Sequence, residues 1–328
     1  MTIATAPRLT LAVAHYDRFV PLLDGSLRAD MLELDVLQVG QSEPGRAGSR
    51  RHERMLRDGA FDAAEVSLSS YLMARARNLP FTAIPFFPRR LFSQSQIWIN
   101  PERGIREARD LIGKRIALSS FQTTLSVLAK GDLQTEYGVP WRGNEWITMR
   151  DETVEFAAEP GVVIRRAPPD ADLGTMLQNG EVDAVFNPVP PRAALAGAAN
   201  VRRLFADPKA EETRYFRKNG FYPIMHVVAL RNDVVERYPQ APRALYELLL
   251  RANTVAETYY DDPNWSRLAW GRLDLEEERA LLGADVWPAG IARNRANLER
   301  FIGYSHDQGL IPEPLGVESL FVPELAGT

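Results

Sequence analysis

One near-repeat limits what this chain can fold into more than any other feature. Met55-Leu56-Arg57-Asp58-Gly59-Ala60-Phe61-Asp62-Ala63-Ala64 matches Met176-Leu177-Gln178-Asn179-Gly180-Glu181-Val182-Asp183-Ala184-Val185, with seven of the ten positions identical or close in kind. Each copy reads as a helix end, a glycine in the left-handed position that stops a helix, and then a buried strand. A helix–strand unit that recurs far along a chain predicts two similar α/β lobes, one copy in each. The segments after the repeats differ: Glu65-Val66-Ser67-Leu68-Ser69-Ser70-Tyr71 follows the first, and Phe186-Asn187-Pro188-Val189-Pro190-Pro191-Arg192 the second. Ligand contacts are expected in those two segments.

The surrounding pattern supports this division. Leu9, Leu11 and Val13 alternate with smaller or polar residues, as do Leu32, Leu34 and Val36, and both runs read as strands. The first strand delivers the turn Tyr16-Asp17-Arg18. Its counterpart is Gly113-Lys114-Arg115-Ile116-Ala117-Leu118, which delivers Ser119, Ser120, Phe121, Gln122, Thr123 and Thr124 to the start of an apolar helix. Hydroxyls and open backbone amides there fit an anion site, and they equally fit ordinary N-capping. Strand-like segments at Gln94–Asn100 and Tyr222–Leu230 bracket the second repeat and suggest one crossing out and one back. Helices from Asp233 onward, with Leu245, Leu248, Leu249 and Ala252 at helical spacing, and over Arg293 to His306, are expected to rejoin the first lobe. The expected architecture is a two-lobed α/β chain of the periplasmic-binding-protein-like type (type II, two crossovers), with a ligand cleft between lobes. Residues 1–98 plus 222–328 form lobe 1, and 102–215 form lobe 2.

Composition removes alternatives. The 328 residues suffice for two domains, and 39 Lys plus Arg against 43 Asp plus Glu leave a net charge of −4, so nucleic acid is not an expected partner. Arg46, Arg50, Arg51 and Arg54, interleaved with Glu43 and Glu53, read as a solvated loop. The absence of cysteine removes thiolate catalysis, zinc ribbons, iron–sulfur clusters and disulfides together. No run approaches the 18 or so apolar residues of a spanning helix, and Met1–Arg8 lacks a leader pattern, so a cytoplasmic protein without a membrane partner is expected. There is no P-loop, dinucleotide fingerprint or Gly-x-Ser-x-Gly elbow.

Several segments together resemble the 4,5-dihydroxyphthalate decarboxylase family, itself similar to bacterial solute-binding proteins. They are Tyr16-Asp17-Arg18, Glu65 to Tyr71, Ala83-Ile84-Pro85 with Phe87-Pro88-Arg89-Arg90, Leu111 to Arg115, Leu133 to Val139, Asn200 to Phe205, and Tyr222-Pro223-Ile224-Met225-His226. The chain departs from the family pattern at Phe19, from Gln41 to Arg51, and at His52. The resemblance implies a decarboxylase of a hydroxylated, phthalate-like aromatic acid, working without a cofactor on a small aromatic carboxylate; a homo-oligomer is compatible with it.

That chemistry makes demands. A bare aryl anion is too unstable to be the product of carbon dioxide loss, so a proton must reach the ring carbon first. The residues expected to act are His226 as proton donor, with His15 and His52 next in line, together with Arg18, Asp17 and Glu65. Arg18 and Arg90 are the clamp candidates for a retained carboxylate, Arg89 being the less favoured neighbour, because a guanidinium fork matches a carboxylate. Tyr16, Ser67, Ser69, Ser70, Gln122, Thr123, Thr124, Asn187 and Arg192 are further expected substrate contacts. His15, Asp17, His52, Glu65 and His226 could converge on a divalent metal, but no pair has a recognised ligand spacing. His306 reads as a helix-end histidine. The rival reading is a solute receptor for an aromatic carboxylate or other small anion, and a third is a pyrimidine-synthase-like enzyme using pyridoxal.

Overall fold

Among the described residues, eleven strands are laid down in chain order: β1 Arg8–Val13, β2 Glu33–Gln38, β3 Ala63–Ser67, β4 Phe81–Arg90, β5 Ile97–Ile99, β6 Arg115–Leu118, β7 Glu145–Thr148, β8 Val163–Arg166, β9 Ala184–Phe186, β10 Arg202–Arg203 and β11 Ile224–Arg231. They belong to a computed structural model describing residues 6–41 and 45–328, so the N-terminal Met1–Thr5 and Glu43 lie outside the described residues. The chain divides into one unit of Met1–Arg90, Ile224–Leu298 and Leu315–Thr328, and another of Leu91–Pro223 and Glu299–Pro314.

The first unit holds a five-stranded sheet in the order β2-β1-β3-β11-β4. Strands β2, β1 and β3 are parallel, and β11 runs antiparallel between β3 and β4. Because β3 and β11 are central, every residue of β3 and all but the last of β11 are buried. Leu11, Val13, Phe19, Val228 and Leu230 form the core with Leu245, Leu248 and Leu249 of the helix Ala241–Tyr259. The edge strand β4 carries Pro85 and Pro88, which lack the donor an inner strand requires. Its register slips between the pairs His226–Arg89 and Val228–Ile84.

The second unit holds the sheet β10-β5-β9-β6-β7-β8. The repeat copies stand one in each unit, as helix, left-handed glycine and strand: Arg51–Leu56, Gly59 (φ 58°) and β3 in one, Leu173–Gln178, Gly180 (φ 70°) and β9 in the other. The aspartate common to both copies has a shared task. Asp62 accepts from the Thr10 amide of β1 at 2.8 Å, and Asp183 from the Arg115 amide of β6 at 2.9 Å, so each repeat pins the strand beside its own.

The sequence reading sent the C-terminal helices back to the first unit, but residues 299–314 group with the second. The reason is a polar cluster on the helix Thr124–Tyr137. Asp132 accepts from Ser93 Oγ at 2.7 Å and Tyr304 Oη at 3.1 Å, while Arg300 donates to Glu136 at 2.6 Å. Burial raises the Asp132 carboxyl to about 6. Gly131 makes room for the Tyr304 ring, since a Cβ there would lie 2.3 Å from it.

Candidate active site

The site begins with a carboxylate that is nowhere exposed. Glu65, on the central strand β3, has a fully buried side chain. A buried carboxylate must be paired or protonated. Here it is paired on every side: Arg51 Nη2 lies 3.0 Å from Oε2, the Ala14 amide donates to the same oxygen at 3.0 Å, and His226 Nδ1 meets Oε1. Burial alone would raise its pKa, but Arg51, His226 and the Ala14 amide hold it well below the usual carboxylate range.

Arg51 corrects the solvated-loop expectation. It opens the helix Arg51–Leu56, is 0% exposed, and donates from Nε to the Glu65 carbonyl at 2.8 Å and from Nη1 to the Val39 carbonyl. Glu53 of the same helix is buried as well. The loop pattern of the segment hides this, because the partner that draws Arg51 inward is fourteen positions along the chain.

His226 stands on β11 opposite Ser67 of β3 and Arg89 of β4. Burial lowers its pKa to about 4; Glu65 opposes that, while Arg89 and Arg51 add to it. The resting state is therefore an ionised Glu65 and a neutral imidazole that donates Nδ1–H to it, leaving Nε2 as the lone-pair nitrogen. The His52 ring meets the His226 ring edge to face, with centroids 4.9 Å apart at 88°. Tyr16 is pushed up to about 12, first by burial and then by Glu65.

The two expected clamps are both engaged within the protein. Arg90 is buried and donates from Nη2 to the Pro288 carbonyl at 2.8 Å and to Asn294 Oδ1 at 2.6 Å, on the opposite strand parity from Arg89. Arg18 packs its guanidinium against Tyr16 (4.1 Å) and Trp287 (4.6 Å), bonds the Pro88 carbonyl through Nε, and meets Asp17 Oδ1 at 2.9 Å. Asp17 is further held by the Tyr260 hydroxyl. Ser67 caps the helix Leu68–Ala76 by accepting from the Ser70 amide at 3.4 Å, and Ser69 and Ser70 are buried in its first turn. A cavity of about 340 Å³ adjoins Arg18 and Trp287, but Asp17, Glu257, Asp274, Glu278 and Asp285 outnumber Arg18 and Arg279 in its wall, which suits an aromatic diacid poorly.

The remaining expected contacts lie in the second unit. Gln122 is buried and bonds the Val154 carbonyl at 2.6 Å. The Phe121 and Gln122 amides, expected to await an anion, donate to the carboxylate of Glu152 at 2.6 and 3.1 Å. Thr123 Oγ1 bonds Ser126 Oγ at 2.6 Å, Thr124 is buried as the first residue of its helix, Asn187 donates to the Val189 carbonyl at 2.8 Å, and Arg192 is exposed. His15 and His306 are exposed. Among the described residues, no group of three or more His, Asp or Glu is placed to hold a metal ion, and no helix is long and apolar enough to cross a membrane.

The two α/β units define the periplasmic-binding-protein-like fold. The alkanesulfonate-binding protein SsuA from Xanthomonas axonopodis superposes with a TM-score of 0.57, covering 96% of this chain and 98% of its own at 14% identity. The chain belongs to the 4,5-dihydroxyphthalate decarboxylase family: the protein of that name from Comamonas testosteroni is 31% identical over 325 residues, 96% of each chain. Its namesake from Pseudomonas putida is 34% identical over 217 residues, 64% of this chain and 81% of the other. No family model matches the chain.

Proposed function

We propose that this protein is a carboxy-lyase that removes carbon dioxide from a hydroxylated, phthalate-like aromatic acid, with His226 carrying the proton to the ring carbon. The observation that carries the reading is the buried Glu65–His226 pair, in a family whose named relatives are 4,5-dihydroxyphthalate decarboxylases. A receptor has no need of an imidazole kept neutral by burial and oriented by a carboxylate.

The resting imidazole is unprotonated, so the proton is taken up with the substrate. An anionic acid bound beside the ring offsets the influence of Arg89 and Arg51 and raises the basicity of Nε2. Glu65 favours the imidazolium that forms. The imidazolium then gives its proton to the carbon bearing the departing carboxylate, where ring hydroxyls supply electron density. Cleavage of the carbon–carboxylate bond returns its electron pair to the ring, releasing carbon dioxide and a neutral His226. Net consumption is one carboxylate and one proton per product, and no added cofactor is invoked in this route.

The test is turnover of 4,5-dihydroxyphthalate by the unmodified protein, followed as released carbon dioxide. Stoichiometric binding with no release, with or without added divalent metal, overturns the proposal in favour of a receptor.

A further inference from the structure

Of the charges that act most on His226, two are cationic, Arg51 and Arg89, and one is anionic, Glu65. Arg51 is matched by Glu65 and Arg18 by Asp17, and the imidazole is neutral at rest. Arg89 is the remainder. It is half-buried, it is paired across the sheet with His226, and it makes no hydrogen bond or ion pair among the described residues. Its field nevertheless reaches both His226 and Tyr16.

A half-buried guanidinium gives up part of its hydration and ordinarily recovers it from a carboxylate or carbonyl. Arg90, the next residue, does so against Pro288 and Asn294. Arg89 has the opposite parity and stands in the lateral row Ser67–His226–Arg89 instead. The bulge in β4 creates this arrangement, because regular pairing through Pro85 and Pro88 would set a different residue opposite His226.

We infer that Arg89 is the anion-binding residue of this site, where its guanidinium takes a carboxylate of an aromatic diacid beside the His226 ring. This rests on the decarboxylase reading for the identity of the acid, whereas the anion subsite stands on the unpaired, half-buried Arg89 beside His226. A planar fork can take both oxygens of one carboxylate and so fix the ring plane as well as the charge. Arg18, stacked between Tyr16 and Trp287 and held by Asp17, then serves as a positioning residue behind Tyr16.

Phthalate, which lacks the hydroxyls that activate the ring, serves as a non-reacting probe in calorimetry with the full chain. Arg89→Gln is expected to weaken its binding by roughly 10- to 150-fold, the loss for a charge-assisted pair. Arg89→Lys, which keeps the charge without the fork, should recover part of that loss, and both variants should melt with the unaltered protein. Unchanged affinity in Arg89→Gln, equal losses in both variants accompanied by lowered melting temperatures, or no phthalate binding to the unaltered protein would overturn the assignment. The two readings separate cleanly: Arg89-dependent phthalate binding without turnover of the hydroxylated acid keeps the subsite and removes the decarboxylase, while undiminished turnover by Arg89→Gln does the reverse.

Discussion

Neutral burial of His226 should be visible as acid sensitivity of folding. In the unfolded chain this histidine titrates near its ordinary value of about 6.5, whereas in the folded protein burial holds it at about 4. A lowered folded-state pKa means that stability is fully present above the unfolded value and is lost as pH falls toward the folded one. Between those values the unfolded chain binds a proton that the folded protein refuses. At about 1.4 kcal/mol per pH unit, moving from about pH 7.5 to about pH 5 should cost roughly 2 kcal/mol from this group alone. The assay is urea unfolding at the two pH values for the unaltered protein and for His226→Gln. Glu65, held well below the usual range by Arg51, stays ionised at both pH values, and contributions from other groups largely cancel in the comparison. The variant should therefore lose roughly 2 kcal/mol less than the parent over that interval. Parallel losses would refute a neutral buried His226.

Glu65→Gln removes the partner of a fully buried Arg51, and breaking such a pair should lower unfolding stability by about 3–5 kcal/mol in urea titrations. Arg90→Met should cost about 1–3 kcal/mol by leaving Asn294 Oδ1 without its guanidinium, while phthalate affinity measured by calorimetry stays unchanged. Gly131→Ala places a methyl 2.3 Å from the Tyr304 ring and should lower stability by about 1–3 kcal/mol, read as a drop in melting temperature.

The repeat carried most of what the sequence could say about the fold, because glycine conformation and apolar run length are local properties. Gly59 and Gly180 are both left-handed, and each is followed by a buried strand. Segment 299–314 could not be assigned in the same way, because its place depends on Asp132 and Glu136, which are distant in sequence. At the site, His226 was legible as a titratable residue within an apolar strand, whereas Glu65 was read in the segment following its strand and their mutual contact was not legible. Arg51 looked like part of a solvated run because charge patterning says nothing about a buried partner. That Arg90 would be engaged by the Pro288 carbonyl and Asn294 was not legible either, because both partners lie some two hundred positions along the chain. At the Ser119–Thr124 turn the sequence left an anion site and ordinary N-capping open, and the carboxylate on the Phe121 and Gln122 amides is the chain's own Glu152.

Proton delivery can be observed directly. With 4,5-dihydroxyphthalate in deuterium oxide, the unaltered protein should release carbon dioxide and give a product carrying deuterium at the vacated ring carbon. His226→Asn should bind the acid with comparable affinity and lose kcat by roughly 10²- to 10⁴-fold, as removal of a general acid predicts. Full kcat and the same deuterium incorporation in His226→Asn would contradict the account and place the proton donor elsewhere.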